Sequence, residues 1–301
     1  MRYDKEAAVF KHVAPFILLL ACTDATGPTG PPAIVFMSFG STTSPYGREF
    51  DIYVMDSLGR HVVNLTRRVE RDEDPAWSPD GAKIIFSRRD SSGAGHLFLM
   101  NPDGSGLTQL TFGASSEWGP AWSPDDAKIA FIGASHLYVM NADGTGITPL
   151  FTDAFYEDRP SWSPDGRIVF YTNRGANPES AGHLYVINAN GSGLTSIGDS
   201  SATEETPSWS PDGSRIAFSS NRDTSVFHIW VMNPDGSNPV RLTSNPGGDG
   251  EPAWSPDGSK IVFTSFRDND VEIYVMNADG SGQTRLTRML GTYEHSPHWR
   301  P

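Results

Sequence analysis

Six carboxylates stand at one position of a recurring phrase: Asp72, Glu117, Glu157, Glu204, Asp249 and Glu294, each five residues ahead of a tryptophan. The tryptophans are Trp77, Trp122, Trp162, Trp209, Trp254 and Trp299, and Ser-Pro-Asp follows five of them. A carboxylate repeated in this way has two uses. It can accept hydrogen bonds from a neighbouring loop or pair with a basic side chain, for which Arg89, Arg174, Arg222 and Arg267 are the candidates. Alternatively, six of them ring an opening and hold a metal ion, or a basic or N-terminal segment of a partner protein, through their summed field. The two readings are compatible, because a paired ring still presents a field. Aromatic side chains stand beside this ring at Trp118, Phe155, Tyr156 and Tyr293. Aromatic anchors next to charge are typical of protein-binding hot spots, and they also serve to cover the edge of a core.

The histidines suggest a metal centre but do not support one. His96, His136, His183 and His228 share one repeat position, where the remaining units carry Asp51 and Glu272. That position falls in the third strand of each unit, roughly 10 Å out from the first. Equivalent residues of different units therefore diverge and cannot share an ion whose ligands sit at about 2 Å. Hydrogen bonding within the repeat is the expected role. Catalysis needs an asymmetric, converging set of unlike groups. The chain shows near-symmetric repetition, no Gly-x-Ser-x-Gly elbow and a single cysteine, Cys22, outside the repeats. An enzyme is not expected, and no cofactor is called for; a cation held in the ring is the one exception.

The elements that position these groups follow from the repeat itself. Successive tryptophans are 45, 40, 47, 45 and 45 residues apart. A fixed period of this size marks stacked supersecondary units. Each unit reads Pro-x-Trp-Ser-Pro-Asp-Gly, then a β-branched run such as Ile84-Ile85-Phe86, then a loop. A second run such as Ile273-Tyr274-Val275-Met276 follows, then Asn-x-Asp-Gly and a short Leu-Thr segment. Such runs bounded by Gly, Pro, Asn and Asp are strands, and the Asp-Gly pairs are hairpin turns. Four short antiparallel strands repeated six times predict an all-β, six-bladed β-propeller over residues 33–301. Ile34-Val35-Phe36, Ile52-Tyr53-Val54-Met55 and Leu65-Thr66 supply three strands before the first complete motif, and the chain stops at His298-Trp299-Arg300-Pro301. The C-terminal strand is thus expected to complete the N-terminal blade, leaving no open edge.

This topology separates two faces. One carries the near-identical Ser-Pro-Asp-Gly and Asn-x-Asp-Gly turns, which read as folding punctuation. The other carries the loops that vary, including 38–50, 88–95 and 172–182 and the segments before each Trp, where binding residues normally sit. The carboxylate ring is expected at the channel mouth on this variable face.

Composition narrows the partners. There are 36 Asp plus Glu against 23 Lys plus Arg, which argues against nucleic acid and anionic lipid surfaces. Lys5, Lys11 and His12 precede an apolar run too short to span a bilayer, so residues 1–21 read as a signal peptide. Leu19-Leu20-Ala21-Cys22 resembles the bacterial lipobox, in which the cysteine is acylated. Residues 22–32, rich in Thr, Gly and Pro, suit a tether.

Pro-x-Trp-Ser-Pro-Asp-Gly, Ile-Tyr-Val-Met-Asn and Asp-Gly-Ser-Gly together resemble the propeller of the TolB family, across all six units. That resemblance implies a noncatalytic envelope scaffold that binds a protein or peptide across a propeller face. TolB proper places an α/β domain ahead of its propeller, for which this chain has no room. The expectation is a monomeric lipoprotein, anchored by lipid alone. Thr23, rather than Asp, after Cys22 implies the outer membrane facing the periplasm, with the cell exterior as the other address. Related propellers also occur in hydrolases and lyases, which supply the alternative reading.

Overall fold

The computed structural model describes residues 33–40, 50–67, 70–90, 92–113, 115–175, 182–268, 270–289 and 291–301. The expected signal peptide, the expected acylation site Cys22 and the expected tether, all within residues 1–32, lie outside the described residues.

Each unit becomes a sheet because its turns are closed locally. In the second blade the inner strand Arg71–Trp77 runs into Ser78-Pro79-Asp80-Gly81 and returns as Ile84–Arg89. It then turns into Gly95–Met100 and ends in the short outer strand Thr108–Gln109. Ser78 Oγ donates to Asp80 Oδ1 at 2.6 Å, and Gly81 N–H donates to Ser78 O at 2.8 Å. Gly81 takes φ 65°, which costs glycine little; Asp126 occupies the same place in the next blade at φ 59°.

Six four-stranded antiparallel sheets form in this way, and every regular element among the described residues is a strand. The inner strands are Arg71–Trp77, Glu117–Trp122, Glu157–Trp162, Glu204–Trp209, Asp249–Trp254 and Tyr293–Trp299. The second strand of each blade carries the core, with Phe36, Phe86, Phe131, Phe170, Phe218 and Phe263 fully buried. Blades pack face to face, so each apolar cluster joins two neighbours. Val35, Ile52 and Val54 of the first blade, for example, pack against Trp77, Ile84 and Phe86 of the second.

The ring closes as the sequence predicts. Tyr293–Trp299 pairs with Ile34–Phe39, setting Ile34 opposite Trp299 and Phe39 opposite Tyr293. Arg300 N–H donates to Ala33 O at 2.7 Å, and the Arg300 guanidinium reaches Gly81 O at 2.8 Å. The chain therefore enters the ring at Ala33 on the face that carries the Ser-Pro-Asp-Gly turns.

Candidate functional site

Five of the six repeated carboxylates do not line the opening, and the sixth, Asp249, only borders it. Asp72, Glu157, Glu204, Asp249 and Glu294 are fully buried and Glu117 nearly so, at the junctions between blades. Asp72 takes a bidentate pair from Arg88 at 2.6 and 2.8 Å, while Arg174, Arg222 and Arg267 pair with Glu157, Glu204 and Asp249. Arg89, the expected partner of Asp72, instead takes Glu73 at 2.7 Å. Side chains alternate along a strand, so adjacent arginines meet adjacent carboxylates on opposite sides of the sheet. Two of the four repeat histidines act across blades, while His183 and His228 keep a buried Nδ1 without a partner among the described residues. His96 contacts Glu117 of the next blade at 3.0 Å and His136 contacts Glu157 at 3.1 Å. Among the described residues no three His, Cys, Asp or Glu side chains are placed to hold a metal ion.

Among the described residues Glu294 forms no ion pair. Its Oε1 accepts from Ser38 Oγ at 3.0 Å and from Thr292 Oγ1, and its Oε2 is buried without a partner. Burial pushes the carboxyl from its ordinary 4.5 up to about 7, against the pull of the Thr292, Ser38 and Thr287 hydroxyls. The folded protein therefore holds a proton that the unfolded chain releases. This contribution to stability is present at low pH and lost as pH rises from about 4.5 to 7. Glu294→Gln should flatten that window by up to about 3 kcal/mol. Unfolding midpoints at pH 5 and pH 8 would show it, and an unchanged pH slope would exclude it.

The opening is lined in every blade by the residue two places further along the inner strand. A β-bulge interrupts every inner strand just before its proline. The pre-proline residues Asp74, Gly119, Arg159, Thr206, Glu251 and Ser296 all take φ between 49° and 58°. Residues other than glycine rarely adopt that conformation, and here the bulge aims each one at the channel axis. These six residues form the waist of the channel. A clue was present in the sequence: the residue before Pro-x-Trp is Asp, Gly, Arg, Thr, Glu or Ser, while the Pro-x-Trp that follows it repeats.

Arg159 bridges this waist. Its guanidinium donates to Asp74 Oδ1 at 3.0 Å and Ser296 Oγ at 3.2 Å, and lies 3.6 Å from Glu251 Oε1. Burial raises the Glu251 carboxyl, but His295, Arg159 and the Ser296 N–H outweigh it and hold the group below its ordinary range. Asp74 moves the other way, because burial and nearby carboxylates exceed the help from Arg159. Two cavities flank the waist and share Arg159, Thr206 and Glu251. The one on the turn face, about 360 Å³, is walled by the tryptophans and by prolines such as Pro79, Pro164 and Pro211. The one on the variable face, about 390 Å³, is walled by Tyr156, Asp158, Tyr171, Glu205, Phe227 and Phe266. Of the six repeated carboxylates, Asp249 alone borders this second cavity.

Two of the aromatic rim residues are tied to one carboxylate. Trp118 Nε1 donates to Asp158 Oδ1 at 3.0 Å and the Tyr156 hydroxyl to Oδ2 at 2.7 Å. Tyr293 is 42% exposed, with its ring 6.2 Å from Phe39. Phe39, Phe50 and Phe266, not singled out by the sequence, continue this aromatic surface toward His295.

The family model described as the TolB beta propeller domain matches residues 40–206 and 193–301. The chain belongs to the TolB beta-propeller family. No curated protein sequence matches it. Among solved structures it is similar to TolB from Acinetobacter baumannii, at 18% identity and TM-score 0.76, covering 90% of this chain and 68% of that one. It is also similar to a putative TolB from Agrobacterium tumefaciens, at 20% identity and TM-score 0.67, covering 90% and 100%. An oligogalacturonate lyase in complex with manganese aligns at 19% identity and TM-score 0.57, over 80% of this chain and 71% of that one. At these identities the likeness to TolB and to the lyase is one of fold.

Proposed function

We propose that this TolB-family propeller is a noncatalytic, monomeric binding module of a bacterial cell envelope, whose variable face holds a protein or peptide partner. One observation carries this reading. The exposed aromatics among the described residues are Phe112, Phe155, Phe266 and Tyr293, and all four stand on the variable face. The exposed aliphatics, such as Leu107, Ile147, Leu194 and Val240, lie in or beside the outer strands instead. Exposed aromatics gathered on one face are the anchors that interfaces use, and Phe266 among them lines the cavity there. The acylated cysteine would be Cys22, with the outer membrane facing the periplasm as the address. Because Ala33 joins the ring on the turn face, such a tether leaves the variable face directed away from the membrane.

Affinity capture from the native envelope tests this. Cys22→Ser should leave the membrane fraction yet still capture the partner. Phe112→Ser, Phe155→Ser and Tyr293→Ser combined should reduce capture at least tenfold. Equal capture by this triple variant and by wild type would reject the face.

A hydrolase or lyase is the second reading, favoured by the convergence of the unlike groups Arg159, Glu251 and His295 and by the fold shared with the oligogalacturonate lyase. Against it, these three groups engage one another, and Glu251 is held ionised by its partners rather than poised as a base near neutrality. Turnover of an oligogalacturonide by the purified chain would favour the enzyme.

A further inference from the structure

We infer that the cavity on the variable face is a receptor for one organic cation, the ammonium or guanidinium head of a basic side chain, with Glu205 as its charge partner. The inference rests on the reading of the variable face as the binding face, and it names the chemistry that the face selects.

Charge balance points to this ligand. Asp74, Asp158, Glu205 and Glu251 gather around one guanidinium, Arg159, and one imidazole, His295. Arg159 is committed to Asp74 and Glu251, and His295 contacts Glu251 at 3.3 Å. Asp158 is satisfied by neutral donors only, namely Trp118, Tyr156 and the Arg159 N–H. Glu205 accepts no side-chain hydrogen bond among the described residues and feels Arg159 only at longer range. Its half-buried carboxylate thus lies beside two others, Asp158 and Glu251, with only the already committed Arg159 as a distant counter-charge. A cation arriving there would neutralise a field that the fold leaves unbalanced.

Shape and wall chemistry choose the kind of cation. A volume of about 390 Å³ holds a side-chain head with its methylene stem, not merely a bare ion. Tyr156 and Tyr171 meet edge to face at 6.0 Å on one wall, and Phe227 and Phe266 stand in the lining as well. Aromatic faces attract ammonium and guanidinium groups and cover their apolar stems. A metal ion would need several oxygen or nitrogen ligands converging at roughly 2–2.6 Å.

The test uses the full chain with three probes: Nα-acetyl-lysine methylamide, its uncharged isostere Nα-acetyl-norleucine methylamide, and calcium chloride. The lysine amide should shift the ring resonances of Tyr156 and Phe227 saturably, and the norleucine amide should bind at least tenfold more weakly. Glu205→Gln should weaken the lysine amide at least tenfold while leaving the unfolding midpoint equal or higher, which separates lost binding from lost folding. Equal binding of the isostere, full affinity in Glu205→Gln, or a response to calcium without one to the lysine amide would overturn the inference. If the lysine amide does not bind but capture still depends on Phe112, Phe155 and Tyr293, the cation site fails and the binding face stands. If the lysine amide binds and capture ignores those aromatics, the cation site stands and the aromatic face fails.

Discussion

Asp72→Ala should destabilise the propeller by about 3–5 kcal/mol, the usual cost of stranding one member of a buried ion pair. Asp72 is fully buried, and the Arg88 side chain it holds is only 9% exposed. Without the carboxylate, a buried guanidinium near the end of the second strand loses both of its Asp72 acceptors, close over the rings of Phe86 and Phe98. Adding Arg88→Met should recover much of the loss, because an apolar pair of similar volume carries no desolvation penalty. Denaturant unfolding of the wild type, both single variants and the double variant gives the coupling energy directly. If the double variant lost the sum of the two single losses, the coupling would be zero and the pair would not be the cause. The same reasoning places the effect of changing Glu117, Glu157 or Glu204 in stability rather than in partner capture.

Arg159→Met should cost roughly 2–3 kcal/mol, less than a fully buried pair because the arginine side chain is 32% exposed to the channel. For a ring of this size that corresponds to a fall in Tm of about 5–10 °C. The variant leaves Asp74 and Glu251 at the waist without the guanidinium they share. Their mutual repulsion favours protonation, so the variant should regain stability when the pH is lowered from 7 to 5. Asp74→Asn and Glu251→Gln in the same background should restore it at pH 7. Calorimetry at the two pH values distinguishes this from simple loss of packing, which would not respond to protons. A midpoint that does not move in Arg159→Met would mean that the bridge contributes nothing.

The architecture was legible because the period, the turns and the alternation all pointed to one answer, down to the pairing of Trp299 with Ile34. The site was legible only in part. Placing Glu117 and its equivalents at the start of the inner strand was correct, yet that position faces the neighbouring blade rather than the axis. What turns a side chain inward is the bulge before Pro75, Pro120, Pro160, Pro207, Pro252 and Pro297, and a period-two pattern gives no sign of it. Arg88 and Arg89 show the same difficulty on a smaller scale. Adjacent and identical, they serve different carboxylates, and only the register of Arg71–Trp77 against Ile84–Arg89 says which takes which. Trp118 and Tyr156 were visible as aromatics, but their shared hold on Asp158 connects two blades and is invisible from spacing alone.

The pairing of Tyr293–Trp299 with Ile34–Phe39 also bears on biogenesis. The first sheet to emerge during synthesis is the last to be finished, because its axial strand is translated more than two hundred and fifty residues later. Until then Ile34–Phe39 has an unsatisfied flank, and the toroid stays open. A nascent chain interrupted before Tyr293 would carry that naked flank permanently, a feature that chaperones and proteases can recognise. The latch thus reports whether translation has passed Trp299.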